Sequence, residues 1–201
     1  MDNVMMMFYK SALLGVASNK PLCDEYKSEW RACGEDKKKL LTFSLRQQCI
    51  PFVMLYSYEG YGLSKEYLKK EYKDLINGLY TAKDADMVKG YTYTLCVDYN
   101  GVYEQNSDVT SYMYCNDTFV VIKETKCPQL FVGCNSHLRL SLEGFNSIKV
   151  HLYDDSEVVI DDLDENSDVV VYKYSNNCSV ARGKYCFGKV KEFSKELRLQ
   201  L

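Results

Sequence analysis

The chain has two histidines, three prolines and one tryptophan in 201 residues. With only His137 and His151 available, most acid–base triads are excluded at once. Three prolines and 11 glycines exclude collagen and low-complexity linkers. No Walker-type G-x-x-x-x-G-K-[ST], no G-x-G-x-x-G after a strand, no H-E-x-x-H and no G-x-S-x-G occurs, so nucleotide hydrolysis, dinucleotide chemistry and the commoner hydrolases lack a signature. An excess of one charge is missing as well. Lys plus Arg is 25 against 28 Asp plus Glu, a net charge of -3, so no global field draws the chain to phosphate backbones and nucleic-acid binding is not expected. No unbroken apolar run spans a membrane. The segment MDNVMMMFYKSALLGVASNK has Asp2 where a signal peptide needs basic residues, and Lys10 splits its apolar stretch. It reads as a first helix, and the expected location is cytoplasmic.

What is present is a globular composition, 46% hydrophobic and 26% charged, on a length that suits one large domain or two small ones. Nine cysteines are an odd number without paired framework spacing, and reduced thiols are the simpler reading. Cys127, Cys134 and His137 lack the close ligand pairs of a structural zinc site. Cys134 and His137 have no third residue to orient an imidazole, so no catalytic residue and no cofactor is expected.

The expected fold class is α+β, with a helical module over residues 1–85 and a β-rich module over 86–201. Leu22, Tyr26, Trp30 and Cys33 form one helical stripe between Pro21 and Gly34. Asp36 can cap a segment in which Leu40, Leu41, Leu45 and Cys49 share a face, and Ser64 can cap another carrying Leu68, Tyr72, Leu75 and Ile76 before Asn77-Gly78. With the apolar stretch from Phe52 to Tyr58, four or five helices are expected.

After Gly90 the period changes from 3.6 to 2. Tyr91, Tyr93, Leu95, Val97 and Tyr99 alternate with polar residues, and Asn100-Gly101 is a hairpin signal. Strands over Val109–Cys115 and Thr118–Glu124 are expected to flank a turn at Asn116-Asp117. From Cys134 onwards serines recur at 136, 147, 156, 167 and 179, each opening a short alternating strand with Leu138, Leu140, Leu142, Ile148, Val150, Leu152, Val158 and Ile160 on the buried side. A unit of about ten residues cannot bury its apolar row alone, so neighbours must stack, as a solenoid, a meander or a two-sheet sandwich.

Two features point to binding. The chain has 18 tyrosines, and Tyr91, Tyr93, Tyr99, Tyr103, Tyr112 and Tyr114 cluster as a candidate surface for a protein partner or for stacking on sugar rings. Asp162, Asp164, Asn166 and Asp168 have the D-x-D-x-N-x-D spacing of a calcium loop. Ser167 replaces the turn glycine and Lys173 the bidentate Glu, so a standard EF-hand is excluded. What remains is a weak cation site, on an oligomer's threefold axis, or a solvated acidic edge. This acidic stretch has no Lys or Arg between Lys149 and Lys173, and a basic one follows it, so the two can pair within one subunit or across two.

The run WRACGEDKKKL at residues 30–40, GYGLSKEYLKKEYKDLINGLY at 60–80 and the β-rich tail resemble small uncharacterised proteins of Bacteroides-type gut bacteria and their crAss-like phages. That resemblance implies phage or prophage origin, a virion decoration or fibre-like role, and no known active site. The reading that follows is a non-enzymatic structural or attachment protein that docks by its helical half onto a larger assembly, as a homo-oligomer with a trimer favoured. A monomeric binding module for carbohydrate or a host protein is the alternative, and a carboxylate-based hydrolase the third.

Overall fold

The computed structural model describes residues 24–45, 65–83, 92–105, 109–123, 129–144 and 147–195. Two compact units divide between Ile76 and Asn77 rather than after residue 85. The first contains helices α1 (Asp24–Cys33), α2 (Lys37–Ser44) and α3 (Lys65–Glu71). Gly34 stops α1 with φ 56°, a conformation glycine adopts without strain. Asp36 caps α2 as its position suggests, accepting from Lys39 N at 3.0 Å, while Leu40, Leu41 and Leu45 are buried. Leu68, Tyr72 and Ile76 are also buried, although the last two lie beyond the end of α3. The readings at the N-terminus and at Phe52–Tyr58 lie outside the described residues, so three of the expected four or five helices are seen.

The described residues between Asn77 and Lys195 form a β-solenoid-like stack. Strand β1 (Leu79–Lys83) pairs antiparallel with β2 (Thr92–Val97), and every later pairing is parallel. The chain then alternates between two sheets through β3 (Val102–Gln105), β4 (Val109–Tyr114), β5 (Asn116–Lys123), β6 (Gln129–Val132), β7 (His137–Glu143) and β8 (Ser147–Leu152). It continues through β9 (Glu157–Leu163), β10 (Asp168–Lys173), β11 (Ser179–Cys186) and β12 (Lys189–Ser194). Sheet A has the order β1-β2-β4-β6-β8-β10-β12 and sheet B the order β11-β9-β7-β5-β3. Parallel neighbours normally need a long crossover, but a strand that crosses to the opposite sheet and returns supplies one with two short corners.

The period of ten is therefore half a coil. Ser136 and Ser156, fully buried, occupy the same corner one coil apart: Ser136 N donates to Ser156 Oγ at 3.1 Å and Glu157 N to Ser136 O at 2.9 Å. Ser167 lies at the opposite corner, where its hydroxyl donates to Gly144 O at 2.8 Å. Ser147 and Ser179 begin strands and are exposed. Small hydroxyl residues suit these corners because a coil turns tightly and their side chains satisfy backbone groups that no ladder reaches. Asn100-Gly101 makes a corner too, not a hairpin: it carries the chain from β2 in sheet A to β3 in sheet B. Residue 116 likewise begins β5 rather than a turn.

All eight aliphatic residues expected on the buried side, from Leu138 to Ile160, are at most 1% exposed. They stack in rows. One runs Tyr103, Val120, Leu140, Ile160 and Arg182 across sheet B, and a facing one runs Thr94, Ser111, Leu130, Val150, Val171 and Glu192 across sheet A. The middle of each row is aliphatic and contributes roughly 1.5–3 kcal/mol per buried side chain. The ends are polar. At the first coil, Tyr103 OH lies 3.1 Å from Ser111 Oγ, which donates to Gln105 Oε1 at 2.9 Å. At the last, Arg182 donates to Val190 O at 3.2 Å, and Lys173 faces Glu192.

Candidate functional site

The outward face of sheet A carries an aromatic row. Register places Leu95, Tyr112, Phe131, His151, Tyr172 and Phe193 side by side on successive strands. Their rings stack: Tyr112 to Phe131 at 5.4 Å, Phe131 to His151 at 4.4 Å, His151 to Tyr172 at 5.1 Å and Tyr172 to Phe193 at 5.7 Å. Beside it, Tyr153 and Tyr174 stack at 4.5 Å, and Lys195 Nζ sits 4.1 Å from the Tyr172 centroid, a cation over a ring face. Burial is graded along the row. Leu95 and Tyr112 are fully buried and Phe131 is 3% exposed, His151 and Tyr172 are half-buried, and Phe193 is 49% exposed.

His151 is the ionisable centre of this face. Its Nδ1 lies 3.1 Å from Tyr174 OH, and its buried Nε2 has no hydrogen-bond partner. Burial lowers its pKa to about 4, with help from the nearby Lys195 and Lys149 charges, so it is neutral at pH 7. A neutral imidazole packed between rings serves as one more flat stacking element. Burial also raises the Tyr153 and Tyr174 hydroxyls, which stay protonated.

Of the six tyrosines expected to form a surface, the five described are dispersed. Tyr91 lies outside the described residues. Tyr103 points into the solenoid from sheet B, and Tyr93, Tyr112 and Tyr114 stand on the outer side of sheet A but are buried, at most 5% exposed. Tyr99 is half-buried at a corner, where its hydroxyl donates to Val102 O at 3.1 Å. The five described offer no common exposed face, because a period of two reports which side of a strand a ring occupies and not whether that side is covered. Among the described residues, aromatics exposed by about half or more lie further on, at Tyr185, Phe187 and Phe193.

The acidic quartet does not lie on one loop. Asp162 lies in β9 and Asp168 in β10, on different sheets, whereas the ligand spacing requires one curved loop. Asp164 Oδ1 is engaged locally, accepting from Asn166 N at 2.9 Å and from its Nδ2 at 3.2 Å. Among the described residues no group of three or more His, Cys, Asp or Glu is arranged to hold a metal ion. The turn does border an open depression of about 370 Å³, lined by Glu143, Asp162, Asp164, Glu165, Asn166 and Phe187 among others.

Charge on the outer side of sheet B is paired along the rows. Arg139 Nε lies 2.6 Å from Asp161 Oδ2, so part of the acidic stretch is balanced by the preceding coil, and His137 Nδ1 lies 3.3 Å from Glu157 Oε2. His137 is exposed and points outward, as its place in the strand suggests. The six described cysteines are free thiols, and burial raises the pKa of Cys96, Cys178 and Cys186. No helix among the described residues is long and apolar enough to cross a membrane. No family model, curated protein or solved structure matches this chain.

Proposed function

We propose that the chain is a non-enzymatic structural or attachment protein whose solenoid presents side-chain rows to a partner or larger assembly. The observation that carries this reading is the aromatic row of sheet A, which passes from full burial at Tyr112 to 49% exposure at Phe193 without a polar interruption other than neutral His151. The exposed end of such a row, at Tyr172 and Phe193 on the last two coils, is a rigid, low-entropy contact surface. Among the described residues, buried His151 is neutral, His137 Nδ1 lies 3.3 Å from Glu157 Oε2, and the buried Cys96 thiol is protonated. The resemblance seen over residues 30–40 and 60–80 adds a virion decoration or fibre-like role, and a homo-oligomeric assembly, to this reading.

The second reading is a monomeric carbohydrate-binding module. Phe193, 49% exposed as the last ring of the stack, offers an aromatic face with the Lys195 ammonium near it over Tyr172, suited to a sugar ring. Light scattering at several concentrations and a glycan array separate the two. Concentration-dependent assembly without glycan signal supports the structural role. A 23 kDa particle that loses glycan binding on Tyr172→Ala or Phe193→Ala supports the module. Turnover in a hydrolase screen, abolished by Asp162→Asn or Glu143→Gln, overturns both.

A further inference from the structure

Exposed large hydrophobic residues are confined to the ends of the solenoid. Among the described residues they are Leu79 on β1, Val102 on β3, and Tyr185, Phe187 and Phe193 on or beside β11 and β12. The last three, at 56%, 70% and 49% exposed, cluster on the final coil. Its two strands are the terminal members of their sheets. A register shift between Arg182 and Tyr185 interrupts β11, so a continuous strand can add only to β12.

The hydrogen bonds of β12 fix which groups face outward. Lys189 N donates to Ser167 O and Lys195 N to Lys173 O, so the odd-numbered residues turn their backbone groups to β10. Val190, Glu192 and Ser194 turn theirs to the side on which no described strand pairs, where Arg182 occupies the Val190 carbonyl. On the outward face the strand reads Lys189, Lys191, Phe193 and then Lys195. Residues 179–195 carry Arg182, Lys184, Lys189, Lys191 and Lys195 against Glu192 alone, a net charge of 5 − 1 = +4. Among the described residues no ion pair involves Lys184, Lys189 or Lys191.

We propose that the open edge of β12 receives an extended acidic segment of a protein partner, added as a further strand of sheet A. Carboxylates at alternate positions face Lys189 and Lys191, and an apolar side chain faces Phe193, while Lys195 stays over the Tyr172 ring. The lysines reject a second copy of this chain, because pairing β12 with β12 sets like charges opposite each other. They would suffice as protection against self-pairing alone, but the exposed Phe187 and Phe193 beside them would not. This assignment rests on the attachment reading and names the partner's chemistry.

The test uses the full chain and a fluorescein-labelled ten-residue peptide alternating Glu and Val with one central Phe, followed by anisotropy, with a Lys/Val peptide as control. Saturable binding of the acidic peptide alone is expected, weakened about tenfold by Lys189→Glu with Lys191→Glu. Ser194→Pro, which removes an outward N–H while leaving the ladder to β10 intact, should abolish it. Absence of binding, binding indifferent to both variants, or self-association through this edge seen by light scattering overturns the assignment. Catalytic turnover would instead overturn the attachment reading, whatever the peptide does.

Discussion

Lys173 Nζ lies 3.1 Å from Glu192 Oε2, at two row positions that the preceding coil fills with Leu152 and Val171. The pair, with side chains 25% and 35% exposed, gives the core a polar end where no further coil follows among the described residues. Terminal repeats of a stacked protein need such an end to stay soluble.

Replacing this pair by Lys173→Leu with Glu192→Val should leave stability unchanged or raise it, since a half-buried ion pair is readily matched by apolar packing. The same variant should associate with rising concentration. Urea denaturation and light scattering on one preparation check both.

Asp154 is 9% exposed with φ 57°, and its Oδ2 accepts from Cys134 N at 2.6 Å while Oδ1 is buried without a partner. Burial raises its pKa, so its ionised form is disfavoured in the fold and the cost grows as pH rises through the titration. Asp154→Asn keeps the acceptor and a residue tolerant of positive φ. It should stabilise the protein by ~1 kcal/mol at pH 7, an advantage that disappears in acid. Asp154→Ala, losing the acceptor, should destabilise. Thermal melts at pH 4 and 7 decide.

His151 binds its proton less tightly when folded, with a pKa near 4, than in the unfolded chain. The unfolded state therefore takes up more protons between about pH 6.5 and 4, and stability falls across that window as the solution is acidified. The loss attributable to this residue is up to roughly 3 kcal/mol. His151→Phe, which preserves the stack between Phe131 and Tyr172, should flatten that segment of the stability–pH curve measured by urea denaturation.

At Gly188 an added Cβ would lie 2.4 Å from Ser167 O and 2.5 Å from Asp164 O, both backbone. Gly188→Ala should therefore cost more than the ~1 kcal/mol typical of a point substitution, by forcing the last corner open. Gly34→Ala, whose Cβ meets nothing within 4 Å, tests φ strain alone and should cost less. Denaturation midpoints of the two variants order the effects.

The stacked rows were legible where alternation was strict, as in Leu138, Leu140 and Leu142, because period two on successive short segments leaves few ways to bury each row. Coil length was not, since corner serines and strand starts carry the same residue at Ser136 and Ser147 although only the first is buried. Strand β1 was missed because five residues, LYTAK, hold too little pattern to compete with the adjoining helix signal. The tyrosine cluster misled for a related reason: Tyr112 and Tyr114 have the spacing of a presented face, and only tertiary structure shows that face to be covered. The exposed aromatics at Tyr185, Phe187 and Phe193 follow a bulge and a glycine corner, where no period connects them.

The account depends on a final strand that is bonded on one side and open on the other. Amide hydrogen exchange of β12 in the free full-length protein measures this directly. Lys189, Lys191 and Lys195 should exchange slowly, and Glu192 and Ser194 fast, in alternation; uniform protection of all five would mean that the edge is already occupied and would contradict the account.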